Sequence, residues 1–300
     1  MDKKVLDWLM AGPAWLRYAV GLQLLDAKPD ITPVLSNPDI KKLIARLKSK
    51  DAGVPAIKSG RVHYTESGKA YWDLFFLADI GLSVSDLGLE NEAEEIFRFQ
   101  SPDGSFTIPP NVRDNYFCMS SILLSSLAEM GFRDDPRMEK YVRLVFSSRG
   151  FDGGWHCYDD LEIESCPMAN LNALMLLGQY ETYGQSPALK SAIDLLLEHW
   201  RVRANLHGFG VGRRFMSLQY PAVKYGILRV LDVLSLFPRA VASPDFESML
   251  DYVHNKAVDG RYFAESFDSA YAGLDFAQDA APSRWITFIV NRIDKRIIEN

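Results

Sequence analysis

The sequence predicts an all-α protein, an α/α toroid in which six buried inner helices alternate with about six half-exposed outer ones across a single domain, residues 1–300. Three observations carry this reading. Apolar residues recur at helical spacing, and the strict alternation of a strand is nearly absent. Glycines return about every 50 residues, at Gly53, Gly104, Gly153, Gly208 or Gly210, and Gly260. Around three of them one short phrase repeats: QSPDGSF at 100–106, RGFDGGW at 149–155 and KAVDGRY at 256–262. Each holds Asp-Gly, a spacer and an aromatic. KDAGVP at 50–55 and NLHGFGVG at 205–212 are weaker copies.

Taken in order, the helices are of two kinds. Amphipathic segments precede the turns, at 37–49, 90–100, 135–148, 187–200 and 244–255. Four of them open with a polar residue followed at once by proline, in SNPD, DDPR, QSPA and SPDF, which is the signature of a capped helix start. A short helix at 2–11 supplies a sixth amphipathic element and closes the ring against the last inner helix. More apolar segments lie at 14–26, 69–81, 114–130, 166–180, 217–236 and 282–298. Helices apolar around most of their circumference are buried on several sides. In the turn between the two kinds, glycine takes a positive φ at little cost and the aromatic tucks between neighbouring repeats.

Composition narrows the function. Apolar residues make up 48% of the chain and charged residues 24%, as in a globular domain with a sizeable core. The net charge of −6 argues against a nucleic-acid partner, which calls for a basic face. The basic run Lys41, Lys42, Arg46, Lys48 and Lys50 alternates with Leu43, Ile44 and Leu47 and reads as a solvated helix face. Cys118, Cys157 and Cys166 are too few for a disulfide framework and fit a reducing compartment. The first residues lack the pattern of a signal peptide, and no stretch approaches the roughly 20 apolar residues of a membrane span. A cytoplasmic protein is expected; the oligomeric state is left open.

The repeated turn resembles the QW-type repeat of the terpene cyclase and protein prenyltransferase superfamily (squalene-cyclase-like): Gln, three residues, Gly, one residue, then Trp or Phe. Gln100, Gly104 and Phe106 match it; Arg149, Gly153 and Trp155 match with Arg for Gln; Lys256, Gly260 and Tyr262 drift further. The resemblance implies a toroid whose inner helices line a central, largely apolar cavity, usually for an isoprenoid substrate. The D-x-D-D motif of the class II cyclases is missing: FRDD at 132–135 and CYDD at 157–160 lack its first Asp. The class I D-D-x-x-D motif is missing too.

The densest chemical stretch is GGWHCYDDLEIESCPM at 153–168. His156, Asp159 and Asp160 are the catalytic candidates. His156, Cys157 and Cys166, with Asp159 or His63, are residue types that hold zinc, although the spacing is not a recognised signature. Asp159, Asp160, Glu162 and Glu164 suit magnesium, or else form a solvated acidic loop. The cofactor is therefore left unknown. Ligand contacts are expected from His63, Tyr71, Trp72, Asp114, Tyr116, Cys157, Cys166, Arg214, Tyr220 and Trp285, which fall near the starts of inner helices. Arg213 and Arg214 suit a diphosphate or carboxylate, or are a surface pair. The expected partner is a hydrophobic, isoprenoid-like small molecule. A non-catalytic ligand-binding toroid and a carbohydrate-active toroid, with Asp114 paired to Asp159 or Asp160, are the alternatives.

Overall fold

The computed structural model describes residues 1–108, 117–156, 164–203, 209–223 and 225–299. Among these the regular structure is helical, with only isolated bridges between extended residues. Twelve helices form its frame: α1 Lys3–Met10, α2 Ala14–Gln23, α3 Pro38–Leu47, α4 Ala70–Ile80, α5 Glu90–Phe97, α6 Phe117–Leu127, α7 Pro136–Ser147, α8 Pro167–Leu177, α9 Lys190–Val202, α10 Ile227–Leu234, α11 Pro244–His254 and α12 Arg284–Glu299. Each predicted segment overlaps one of them. The predicted starts are capped: Asn37 Oδ1 accepts from the Asp39 amide (2.9 Å), Asp135 Oδ1 from Arg137 (2.8 Å), Ser186 Oγ from Ala188 (3.3 Å) and Ser243 Oγ from Asp245 (3.2 Å).

One predicted helix is shorter than its apolar pattern. Residues 217–223 and 225–226 are irregular and α10 begins only at Ile227. Pro221 removes a backbone donor and keeps Tyr220 out of the helical region, so apolar spacing alone could not carry a helix through it.

The chain forms two compact units, one of residues 41–195 and one of residues 1–40 with 196–300. In the first, α6 packs against both α4 and α8, and every residue of α6 and α8 is buried. Several of their polar side chains find hydrogen-bond partners inside the core. Ser120 and Ser121 bond the Tyr141 hydroxyl of α7 (2.6 and 3.0 Å), and Asn172 Nδ2 donates to the Cys118 carbonyl (3.0 Å). Asp73 of α4, fully buried, takes both nitrogens of the Arg46 fork (2.5 and 2.6 Å) and so ties α4 to α3.

In the second unit α12 packs on α1, α2 and α10, while α10 packs on α11. Arg292 and Arg296 of α12 converge on Asp232 of α10. The guanidinium carbons of Arg261 and Arg284 each lie 4.7 Å from the centre of the Trp8 ring of α1.

The repeated turns share an atomic frame. In QSPDGSF the Ser101 amide donates to Ser105 O (2.8 Å), Gly104 N to Ser101 O (2.9 Å), and Asp103 Oδ1 accepts from Ser105 N (3.0 Å). RGFDGGW reproduces all three bonds: Gly150 N to Gly154 O (2.8 Å), Gly153 N to Gly150 O (3.0 Å), and Gly154 N to Asp152 Oδ1 (3.2 Å). KAVDGRY departs from it. Its Val258 and Arg261 exchange backbone bonds around Asp259-Gly260, both at positive φ (51° and 71°). The aromatics Phe106, Trp155 and Tyr262 are buried in all three turns.

Each of the three glycines also sits against an amphipathic helix. A Cβ on Gly104 would meet Lys140 of α7, one on Gly153 would meet Ser191 of α9, and one on Gly260 would meet Val5 of α1. The first two turns thus press against the amphipathic helix that follows in sequence. The third presses against the first helix of the chain.

Candidate functional site

The expected ligand residues divide between the two units. In residues 41–195, Tyr71 and Trp72 are fully buried, and the Trp72 indole donates to Tyr64 O (2.5 Å). His63 is half-buried with Nδ1 2.9 Å from the Thr65 hydroxyl. His156 is half-buried just after Trp155, and Cys166 is a buried free thiol at the start of α8. Asp114, Tyr116, Cys157, Asp159 and Asp160 lie outside the described residues. Among the described residues, no group of three or more His, Cys, Asp and Glu side chains is placed to hold a metal ion. Half of the suggested zinc and magnesium ligands, Cys157, Asp159, Asp160 and Glu162, lie outside the described residues.

Arg214, Tyr220 and Trp285 do come together, in the other unit. The short helix Gly212–Met216 carries Arg213 and Arg214, both exposed, along one wall of a cleft of about 460 Å³. Ser217, Tyr220 and Pro221 continue that wall, and Glu265, Phe267 and Asp268 line the cleft as well. Phe267 is 47% exposed, unusual for so large an apolar ring. A second hollow of about 460 Å³ shares Arg213, Ser217 and Glu265 with the first and adds Met216, Tyr252 and Lys256.

Behind Tyr220 stands a closed circuit of four rings. Tyr220 meets Phe276 at 4.9 Å and Trp285 at 5.5 Å; Trp15 meets Trp285 at 5.4 Å and Phe276 at 6.5 Å. All four contacts are edge-to-face, the arrangement that the ring quadrupoles favour. Trp285 is fully buried, so it supports Tyr220 from behind and does not line the cleft.

A polar clasp fixes the arginine-bearing segment. Lys256 Nζ donates to Met216 O (3.0 Å) and to both oxygens of Glu265 (2.8 and 2.6 Å). Leu218 N donates to Glu265 Oε2 (2.8 Å), and Glu265 N returns a bond to Leu218 O (2.8 Å).

Sequence reasoning named Arg214 and Tyr220 but missed Lys256, Glu265 and Phe267 as cleft residues. For Lys256 a signal existed. It stands where Gln100 stands in the first turn, and Gln100 Nε2 also reaches backbone carbonyls, of Gly104 (3.2 Å) and Arg137 (2.9 Å). In the second turn Arg149 donates to Phe146 O. The first position of the turn is thus a long donor that ties the turn to nearby backbone. Glu265 and Phe267 carried no spacing that singled them out.

Comparison with protein-family models and with curated proteins finds no match to this chain.

Proposed function

We propose that the chain is a divergent α/α toroid of the terpene cyclase and protein prenyltransferase kind, and that it binds a hydrophobic, isoprenoid-like small molecule. The toroid reading draws support from the almost wholly buried helices α4, α6 and α8, which alternate along the chain with the amphipathic α3, α5, α7 and α9, and from turns that press on the next amphipathic helix. The ligand reading rests on one observation above all: the cleft brings the exposed Phe267 ring together with Tyr220, which a circuit of three further aromatics backs. Such a lining favours an apolar ligand by area removed from water. The low cysteine count supports a reducing, cytoplasmic setting.

Titration with farnesol, followed by tryptophan fluorescence, tests the ligand reading. Trp285 lies one ring contact from Tyr220, and Trp15 lies one further on, against Trp285. We expect a saturable change in the natural protein and binding weakened about tenfold in Phe267→Ser, as losing about 1–2 kcal/mol of apolar contact implies. No saturable change, or equal binding by the variant, would contradict the reading.

A further inference from the structure

We propose that the Asp259–Gly260 peptide is a modification site, where the aspartate isomerises spontaneously to isoaspartate and lengthens the turn that packs on α1. Asp-Gly occurs three times in the chain, at 103–104, 152–153 and 259–260. The chemistry is intramolecular. The Gly amide nitrogen attacks the protonated side-chain carboxyl and forms a C–N bond. Its proton departs with the carboxyl hydroxyl as water, and a cyclic succinimide remains. Water then adds to one of the two ring carbonyls. Opening at the side-chain carbonyl restores aspartate. Opening at the α-carbonyl breaks the original peptide bond and leaves the chain running through the side chain. The water lost is the water regained, so no other reactant is needed. Glycine in the second position favours the ring because it has no Cβ to crowd it.

The three turns differ in what they leave available. In the first, the Gly104 amide donates to Ser101 O (2.9 Å), and Asp103 Oδ1 accepts from the Ser105 amide (3.0 Å) and hydroxyl (2.7 Å). The Ser105 bonds also hold the Asp103 carboxyl below its ordinary pKa, which thins out the protonated form that can shed water. In the second, the Gly153 amide donates to Gly150 O (3.0 Å), while Asp152 accepts from the Gly154 amide (3.2 Å) and from the Ser165 amide and hydroxyl (2.7 and 2.5 Å). Nucleophile and electrophile are thus both engaged in each. In the third turn, Asp259 and Gly260 are exposed, and among the described residues neither the Asp259 carboxylate nor the Gly260 amide has a hydrogen-bond partner. The bond that closes this hairpin-like turn, Arg261 N to Val258 O (3.0 Å), uses neither group.

The product has a mechanical consequence. Isoaspartate adds a methylene to the backbone between Val258 and Arg261, whose mutual bonds span the altered peptide. Gly260 lies against Val5, and the Arg261 guanidinium carbon is 4.7 Å from the centre of the Trp8 ring, so the lengthened turn shifts against α1.

The test ages the natural protein at neutral pH, folded and in urea, and follows the three sites by peptide mapping. Isoaspartyl peptides keep their mass, separate chromatographically and give distinct fragments on electron-transfer dissociation. In urea the three sites should convert at similar rates. In the folded protein Asp259 should convert at least about tenfold faster than Asp103 or Asp152, which must first open locally. Asp259→Glu keeps the charge but places the carboxyl one methylene too far for the succinimide ring. It should give no product at this site and no change with age in amide exchange of α1, whereas exchange there should speed up in the aged natural protein. Equal conversion at all three sites of the folded protein, or none at Asp259 in the time that urea converts all three, would overturn the site. Unchanged exchange in converted natural protein, or a rise that Asp259→Glu shares, would overturn the effect on α1.

Discussion

Asp275 lies nine residues before the helix it caps. Its Oδ2 accepts from the backbone amides of Arg284 and Trp285, the first two residues of α12, while its buried Oδ1 has no hydrogen-bond partner among the described residues. Burial pushes its pKa up to about 6, against the pull of those two amides and of the Arg284 charge. A folded-state pKa above the unfolded value means that the native state holds its proton more tightly. The associated stability is therefore fully present below about pH 4 and is lost as pH rises through about 6. Asp275→Asn keeps an acceptor for the amides and removes the buried charge. It should be more stable than the natural protein at pH 7.5, by about 1–2 kcal/mol, with the gap closing at pH 5. Thermal unfolding of both proteins at the two pH values checks this; an Asn variant less stable at both would contradict it. Asp73 is the opposite case, a buried carboxylate with its partner in place. Asp73→Ala should cost about 3–5 kcal/mol by stranding Arg46, and R46M/D73L should recover most of that in denaturant titration.

At the scale of the element, the turn glycines separate two costs. Gly131 has φ +110° with nothing within 4 Å of an added Cβ, so Gly131→Ala meets only the backbone penalty, about 1 kcal/mol. Gly153 has φ +83° and its Cβ would lie 2.7 Å from Ser191 Cβ, so Gly153→Ala adds a clash and should cost about 2–3 kcal/mol. Equal melting temperatures for the two variants would show that the close approach of the turn to α9 does not matter. Gly153, like Gly104 and Gly260, was legible in the sequence because the Asp-Gly-x-aromatic phrase returns around it; Gly131 carries no such phrase. The helices were legible for a like reason: proline behind a polar cap marks starts such as Asp135 and Ser186, and runs without charge and rich in apolar residues mark α6 and α8. The pattern failed at 217–223, where spacing is helical but Pro221 forbids the helix. The cleft was half legible. Arg214 and Tyr220 stood out by residue type, whereas Glu265 and Phe267 reach it through an irregular loop that no periodicity describes.

At the scale of the whole molecule, the chain ends meet within one compact unit. Residues 1–40 fold with residues 196–300, α12 packs on α1 and α2, and Gly260 of the last turn faces Val5. If this contact serves the last repeat as Lys140 and Ser191 serve the earlier ones, damage to α1 will travel to α12. Val5, 5% exposed, is the place to test it. Val5→Asp should lower the melting temperature and speed amide exchange in α12 as well as in α1, since a buried unpaired charge is costly. Faster exchange confined to α1 would contradict that coupling.

The central claim is that this fold holds a hydrophobic small molecule, and native mass spectrometry of the freshly purified protein tests it most directly. The account predicts one small-molecule adduct per chain, present as isolated or formed on incubation with farnesol, and diminished in Phe267→Ser. The bare chain mass before and after farnesol would contradict it.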